Sequence, residues 1–403
     1  MNVAVSSPAL RDTMHRIAIL IEYPTVNGGE NSILAGLSHL LNRKSSSESG
    51  LEFYVLGPAQ GAMADRVSQL GIPITGLNLF DDAGRRLPKE QAIPRLLEAA
   101  ELSGADLVHG NSLSMGRLLG AVARARPQFV ATAHLRDIMK LSQAAISDLN
   151  ANRQLCAVSE ATLAFHVGQG LDKSVGTVIH NGIDVDAFAA DGSARLRLRR
   201  ELKIPVDSIV LLTVGQVGLR KGLDTLAEVA RRLADLRPGI HWLLAGERFS
   251  QKAESLEFES QVLRDFSACS PALKFHRLGY REDIPELMRA SDLLVHGARQ
   301  EPLGRVLLEA AASRLAIVAT DVGGTGEIIA DGESGLLASA DSSEAITSGI
   351  VRLINDEIYR EELAVNAHRR IRSDFAIENS AEALMNAWKS AILSAKSDCL
   401  FNA

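Results

Sequence analysis

The sequence predicts an α/β protein built from two doubly wound, Rossmann-like domains that face each other across a cleft. Three observations predict it. Short apolar runs of strand length alternate with helical patterns along the chain. Most of those runs are continuous, the pattern of parallel strands covered on both faces. The chain has 403 residues, too many for one ordinary core and comfortable for two, and the rhythm restarts after about residue 205.

Ile17-Ala-Ile-Leu-Ile21 reads as the first buried strand. A glycine loop follows it, and then Ile33, Leu34, Leu37, Leu40 and Leu41 fall on one helical face. Further strands are expected over 53–56, 107–109, 129–133, 155–158 and 178–180. The second series is expected over 209–214, 241–245, 274–278, 293–295 and 316–319, with helices over 223–236 and 305–313. Between 186 and 205, Ala, Gly, Asp and Arg replace the apolar runs. The first domain is therefore expected over 1–195, with 1–13 disordered, and the second over 196–375.

Bulk composition excludes several function classes. Hydrophobic residues make up 46% and charged residues 23%, as in soluble globular proteins. A net charge of -6 argues against a bulk attraction to nucleic acid. Arg195, Arg197, Arg199, Arg200 and Lys203 read as a solvated helix face. Cys156, Cys269 and Cys399 lack metal-ligand spacing, and an odd count does not suit a secreted disulfide framework. The first residues lack a signal-peptide pattern, and no apolar run nears the ~20 residues of a membrane span. The expectation is a cytoplasmic protein, with peripheral contact at the inner membrane face left open.

In open parallel sheets, ligands sit beyond the carboxyl ends of the strands, so two such sheets place the site in the cleft between them. Gly28 and Gly29, which allow close backbone approach and positive φ, follow the first strand and lead into a helix whose N-terminus can face an anion. A tight turn without a ligand explains the same pair. His134 follows the expected strand 129–133 and should sit at an edge facing the cleft, although a lone His equally suits a structural position. Gly215-Gln-Val-Gly-Leu-Arg-Lys-Gly222 follows the first strand of the second domain. Its glycines and adjacent cations Arg220 and Lys221 suit a diphosphate, or else a solvated basic turn. The loop has neither Walker spacing nor Gly-x-Gly-x-x-Gly, which speaks against ATP or NAD.

The sharpest segment is Glu301-Pro-Leu-Gly-Arg-Val-Leu-Leu-Glu309. Glu301 stands before a helix start, where an acid satisfies the helix dipole. Glu309 lies inside an apolar helical stretch, so it should accept hydrogen bonds, for which sugar or ribose hydroxyls are suitable donors. After the next strand comes Asp321-Val-Gly-Gly-Thr-Gly-Glu327, a glycine turn that again places N–H groups at a strand end.

Taken together, these residues resemble the retaining glycosyltransferases of the GT-B fold, family 4, over nearly the whole chain. Glu301-Pro-Leu-Gly304 with Glu309 resembles that family's Glu-x7-Glu signature, and Gly323-Gly-Thr-Gly-Glu327 its second-domain glycine motif. Asn181-Gly-Ile-Asp184 resembles its Asn-Gly-(Val/Ile)-Asp element, and Gly28-Gly-Glu30 its first-domain loop. The resemblance implies that Glu301 contacts the transferred sugar, Glu309 the ribose, and Arg220 and Lys221 the diphosphate. Backbone groups near Leu303 and Gly304 would help, with Arg305, Val306, Gly28, Gly29, Gly215 and Gln216 completing the donor site. His134 would position the sugar from the first domain. The implied catalytic set is His134, Lys221, Arg220 and Glu301. A final helix within 376–403 would cross back to the first domain.

Two departures stand out: Gln216 where the family commonly has Arg, and Leu303 where Phe is common. By analogy the reaction proceeds with retention through an oxocarbenium-like front-face displacement, without metal or other cofactor. Asp81-Asp82 lies in a polar loop rather than at a strand end. The donor is expected to be a UDP- or GDP-linked hexose, and the acceptor a glycan, a lipid or a small molecule. A sugar-nucleotide epimerase of the same fold and a non-catalytic sugar-nucleotide-binding subunit are the alternatives.

Overall fold

The computed structural model describes residues 14–42, 50–188 and 192–401, so the expected disorder of 1–13 lies outside the described residues. The first sheet contains β1 (His15–Leu20), β2 (Leu51–Gly57), β3 (Ile74–Gly76), β4 (Leu107–Gly110), β5 (Ala131–Leu135), β6 (Gln154–Ala157) and β7 (Gly176–Val178). Its order is β3-β2-β1-β4-β5-β6-β7, parallel throughout. The second sheet contains β8 (Val210–Val214), β9 (Ile240–Ala245), β10 (Leu273–Gly279), β11 (Leu293–His296), β12 (Ala316–Thr320) and β13 (Leu336–Ala338). Its order is β10-β9-β8-β11-β12-β13, again parallel. Strand order reverses between β1 and β4 and between β8 and β11, the two places where such sheets open a crevice.

The continuous apolar runs have the expected cause. In β1, Ile17 and Ile19 enter one core while Ala18 and Leu20 enter another. In β8, Leu211 packs on one side and Val210 and Leu212 on the other. Both faces are dry, so alternation disappears. β3 and β13 have three residues each and were not expected, because such short strands carry too few apolar residues to stand out.

Three local expectations change. The strand expected over 129–133 begins at Ala131 and runs through His134, which pairs in register with Cys156. The strand expected over 178–180 is Gly176–Val178. The basic stretch from Arg195 is not a solvated face throughout. Arg195 and Arg199 both reach Asp292, at 2.6 and 2.8 Å, and Arg199 donates to Ala290, Val206 and Ser208 carbonyls. A carboxylate and three carbonyls replace water there, so Arg199 is 1% exposed. The helix carrying these arginines, Gly192–Glu201, runs unbroken across position 195 and packs on the second domain.

The helix Ile377–Phe401 returns to the first domain and packs on the helix Gly28–Asn42. Its Trp388 is fully buried against Phe53 and His109. The crossing is fastened by two bonds, Ile183 N–H to Phe375 O at 2.9 Å and Ile377 N–H to Ile183 O at 3.0 Å. A Cβ on Gly182 would lie 2.8 Å from Ile377 Cα, so the Asn181–Asp184 element seats this junction. Among the described residues, no helix is long and apolar enough to cross a membrane.

Candidate active site

The loops after β8 and β11 meet at the crevice of the second sheet. Lys221 ends a short 3-10 turn, Leu219–Lys221, and its Nζ lies 2.5 Å from Glu301 Oε2. The same oxygen is 3.0 Å from Nε2 of His296, the last residue of β11. Burial opposes ionisation of Glu301, but the Lys221 ammonium and the His296 bond outweigh it and hold the carboxyl well below its usual range. His296 moves down, chiefly through burial. Two of the sequence candidates, Lys221 and Glu301, thus form one ionised pair; their side chains are 15% and 9% exposed.

The rest of the loop after β8 divides. Gly215 lies along the Lys221 stem, 3.5 Å from its Cε when a Cβ is added. Gln216 and Arg220 are exposed. Sequence reasoning missed Arg299, which ties the turn down. It donates to Leu219 O and to Asp224 and Asp341 carboxylates at 2.9, 2.8 and 2.6 Å. Its Arg–carboxylate bonds are of the charge-assisted kind that fixes geometry.

Gly304 starts the helix Arg305–Ala312 with φ 108° and without a side-chain cap. The N–H groups of Arg305 and Val306 therefore lack a protein acceptor among the described residues, and this helix end can face an anion. Leu303 is buried, and the Val306 side chain packs against the core. Glu309 accepts from Arg305 Nε at 2.8 Å, one turn earlier in the same helix. Burial pushes the Glu309 carboxyl up, with Arg305 offsetting only part of that. Arg305 also donates to Ser32 Oγ of the first domain at 3.2 Å.

The Asp321–Glu327 segment packs under this loop. Gly323 has φ +56°, and a Cβ there would lie 1.9 Å from Glu301 O. Gly324 N–H donates to that same carbonyl at 3.0 Å. Glu327 reaches into the first domain. Its carboxylate accepts from Glu160 N–H, Ala161 N–H and His180 Nε2 at 2.9, 3.0 and 2.7 Å, capping the helix Glu160–Val167. Ser159 and Thr162 donate to Pro302 O, and Gln300 to Ile138 O at 2.6 Å. The sequence signal for this seam was a helix-capping Ser with an acid after it, which carries no hint of its partner across the cleft.

In the first domain the expectations need correction. Gly28 and Gly29 do not take positive φ; the helix Gly28–Asn42 starts with them. Their lack of Cβ makes room for a side chain instead, since a Cβ on Gly29 would lie 3.1 Å from Arg136 Cδ. His134 does not stand beyond a strand end. It is 3% exposed inside β5, with Nδ1 2.7 Å from His109 Nε2, and His109 Nδ1 lies 2.9 Å from Thr132 Oγ1. Burial pushes His134 well below its usual value, so the ring is neutral. Asp81 accepts from Ala83 and Arg85 N–H groups at 3.0 and 2.8 Å and closes a turn. Among the described residues, no three His, Cys, Asp or Glu side chains converge as a metal site would require.

Comparison with known proteins agrees with this architecture. Residues 194–370 match the family model for glycosyl transferases group 1, and residues 37–187 that for glycosyltransferase family 4. The chain is 32% identical over 213 residues to the lipopolysaccharide core biosynthesis mannosyltransferase LpcC of Rhizobium leguminosarum bv. viciae. That match covers 52% of this chain and 58% of the relative. It is 29% identical over 202 residues to the lipopolysaccharide core biosynthesis glycosyltransferase LpsE of Rhizobium meliloti, covering 50% and 56%. The chain thus spans somewhat over half the length of these curated relatives. The solved structure of Anabaena Alr3699/HepE in complex with UDP and glucose shares the fold, with TM-score 0.79 and 23% identity over 93% of this chain and 99% of that one.

Proposed function

Because the chain belongs to the GT-B glycosyltransferases, we propose that it transfers a hexose-type sugar from a nucleoside diphosphate sugar to an acceptor, with retention of anomeric configuration. One observation carries the reading: the Lys221–Glu301 pair at the β8/β11 crevice, beside a helix N-terminus and Glu309. HepE's complexes with UDP and UDP-glucose support a nucleoside diphosphate donor. The mannosyltransferase relative supports a hexose as the transferred sugar.

In this reading Lys221 and the exposed Arg220 meet the diphosphate as the glycosidic bond breaks, with the free N–H groups of Arg305 and Val306 beside them. Charge developing on the leaving phosphate is where preorganised donors accelerate a reaction most. Glu301, kept ionised, accepts hydrogen bonds from the sugar with its remaining lone pairs. Glu309 exchanges Arg305 for ribose hydroxyls. His134, being neutral, can orient a hydroxyl but cannot act as an acid. The departing phosphate takes the acceptor's proton. Two cations and helix N–H groups fill the place of a metal, so the reaction is proposed to need none.

The test is direct. Thermal shift against a panel of UDP- and GDP-sugars in excess chelator should identify one donor, which at 100-fold its dissociation constant stabilises by ~2.7 kcal/mol. Product analysis then reads the new linkage. Absence of any nucleotide binding, or activity only after magnesium or manganese is restored, would sink the corresponding part.

A further inference from the structure

Two buried polar residues of the first sheet, His109 and Thr132, have no part in the reading above. Thr132 on β5 stands opposite His109 on β4, and His134 follows on the same face of β5, next to the strand's carboxyl end. Thr132 Oγ1 lies 2.9 Å from His109 Nδ1, and His109 Nε2 lies 2.7 Å from His134 Nδ1. Thr132 and His109 are fully buried, and His134 is nearly so. Trp388 of the returning helix packs edge-on to the His109 ring, with centroids 5.4 Å apart.

Each hydrogen bond in this chain needs one proton, and burial decides where the protons sit. Among the described residues the Thr132 hydroxyl has no hydrogen-bond partner besides His109. If it accepted from His109, its own proton would be left unpaired in a dry core, at the cost of a lost hydrogen bond. The hydroxyl therefore donates to His109 Nδ1. Burial, with Arg136 adding to it, keeps both rings neutral, and a neutral imidazole carries a single N–H. His109 then holds its proton on Nε2 and donates it to His134 Nδ1. His134 in turn holds its proton on Nε2, the ring nitrogen that takes no partner among the described residues.

We propose that Thr132 and His109 are positioning residues that fix the tautomer of His134, so that it meets the bound nucleotide sugar with an N–H. The inference rests on the glycosyltransferase reading and deepens it in one respect. His134 is a hydrogen-bond donor to an oxygen of the nucleotide sugar, and it has no lone pair there to take the acceptor's proton. The opposite register, with His134 Nδ1 donating to His109 and a bare Nε2 left over, would suit a base but strand the Thr132 proton.

The tautomers are read directly by nitrogen-15 NMR of the whole protein labelled at histidine, where protonated and bare ring nitrogens resonate far apart. The signals lost in His109→Gln and His134→Gln assign the two rings. At neutral pH both rings should carry Nε2–H. Thr132→Val removes the hydroxyl at nearly constant shape and should leave each ring a mixture of the two tautomers. With the donor found by thermal shift, its kcat/KM should fall by up to about tenfold, the worth of one neutral hydrogen bond. Thr132→Ser returns the hydroxyl without the methyl group and should restore both tautomer and rate, which a role in packing alone would not allow. A parent protein with Nδ1–H on His134 overturns the proposal. So does a Thr132→Val protein whose rings do not shift, or whose rings shift while kcat/KM stays at the parent value. If no nucleotide sugar is turned over, the donor reading fails by itself, and the tautomers of the free parent and Thr132→Val proteins still decide whether Thr132 and His109 set the His134 proton.

Discussion

The two crevices of this molecule solve the same electrostatic problem in opposite ways. At β8/β11 the buried charge is balanced inside the protein, Lys221 against Glu301 with His296 on the same oxygen. At β1/β4 the cation Arg136 has only amide and carbonyl oxygens around it, beside a pair of neutral histidines. A balanced pair is rigid before ligand arrives and must exchange partners when it does. An unbalanced cation is held in place by neutral contacts alone. The difference teaches that the fold's pseudo-symmetry repeats a position for ligands, not a chemistry.

The largest expected effect tests the balanced side. Lys221→Ala should lower the single-turnover rate ~10²–10³-fold, the usual cost of one electrostatic stabiliser. It also leaves Glu301 buried with His296 alone, so stability should fall by about 3–5 kcal/mol. Adding Glu301→Gln should restore much of the stability and none of the rate, which separates the two roles. Glu301's folded pKa lies below its unfolded one, so its contribution is complete above about pH 4.3 and fades as pH falls further. Unchanged turnover in a folded Lys221→Ala protein would transfer the phosphate role to Arg220.

Glu309→Gln sharpens the contrast within the same domain. Loss of a charged hydrogen bond should weaken donor binding by about 1.5–3 kcal/mol, some ten- to a hundredfold in dissociation constant by calorimetry. Here the folded pKa lies above the unfolded one, so ionisation costs the fold stability as pH rises through that interval. The Gln variant should accordingly be no less stable than the parent at pH 7. A clear drop in melting temperature would mean that the Arg305–Glu309 bond is structural first.

The smallest effect tests the neutral side. Burial pushes His109 down to about 3, with Arg136 adding to it. The folded protein therefore holds this ring neutral, and the associated stability is complete above about pH 6.5 and declines as pH falls towards the folded value, by ~1.4 kcal/mol per pH unit. Urea unfolding between about pH 6 and pH 4 should show His109→Gln losing that much of the slope. An unaltered slope would show that the ring charges within the fold, and the picture of a neutral interior beside Arg136 would go with it.

Much of this was legible in the chain. Dry-faced strands such as Ile17–Leu20 announce themselves by composition, and Glu301, Arg220 and Lys221 stand between strand ends and helix starts that sequence position alone locates, with Glu309 inside the helix that follows Glu301. What was illegible were partners. Glu327 looked like the end of a glycine turn and proved to cap a helix of the other domain, with His180, a residue 147 positions away. Arg199 looked solvated on a basic helix, and Asp292 buried it.

By itself, then, the sequence determined two parallel sheets, their helices and the loops that carry the polar residues, because burial periodicity and turn chemistry are local properties of a chain. Only the tertiary structure decided which charges meet. Whether Lys221 finds Glu301 while Arg136 finds none depends on which loops the strand order brings to one crevice. That order is fixed by long-range packing, which leaves no trace in the spacing of residues along the chain.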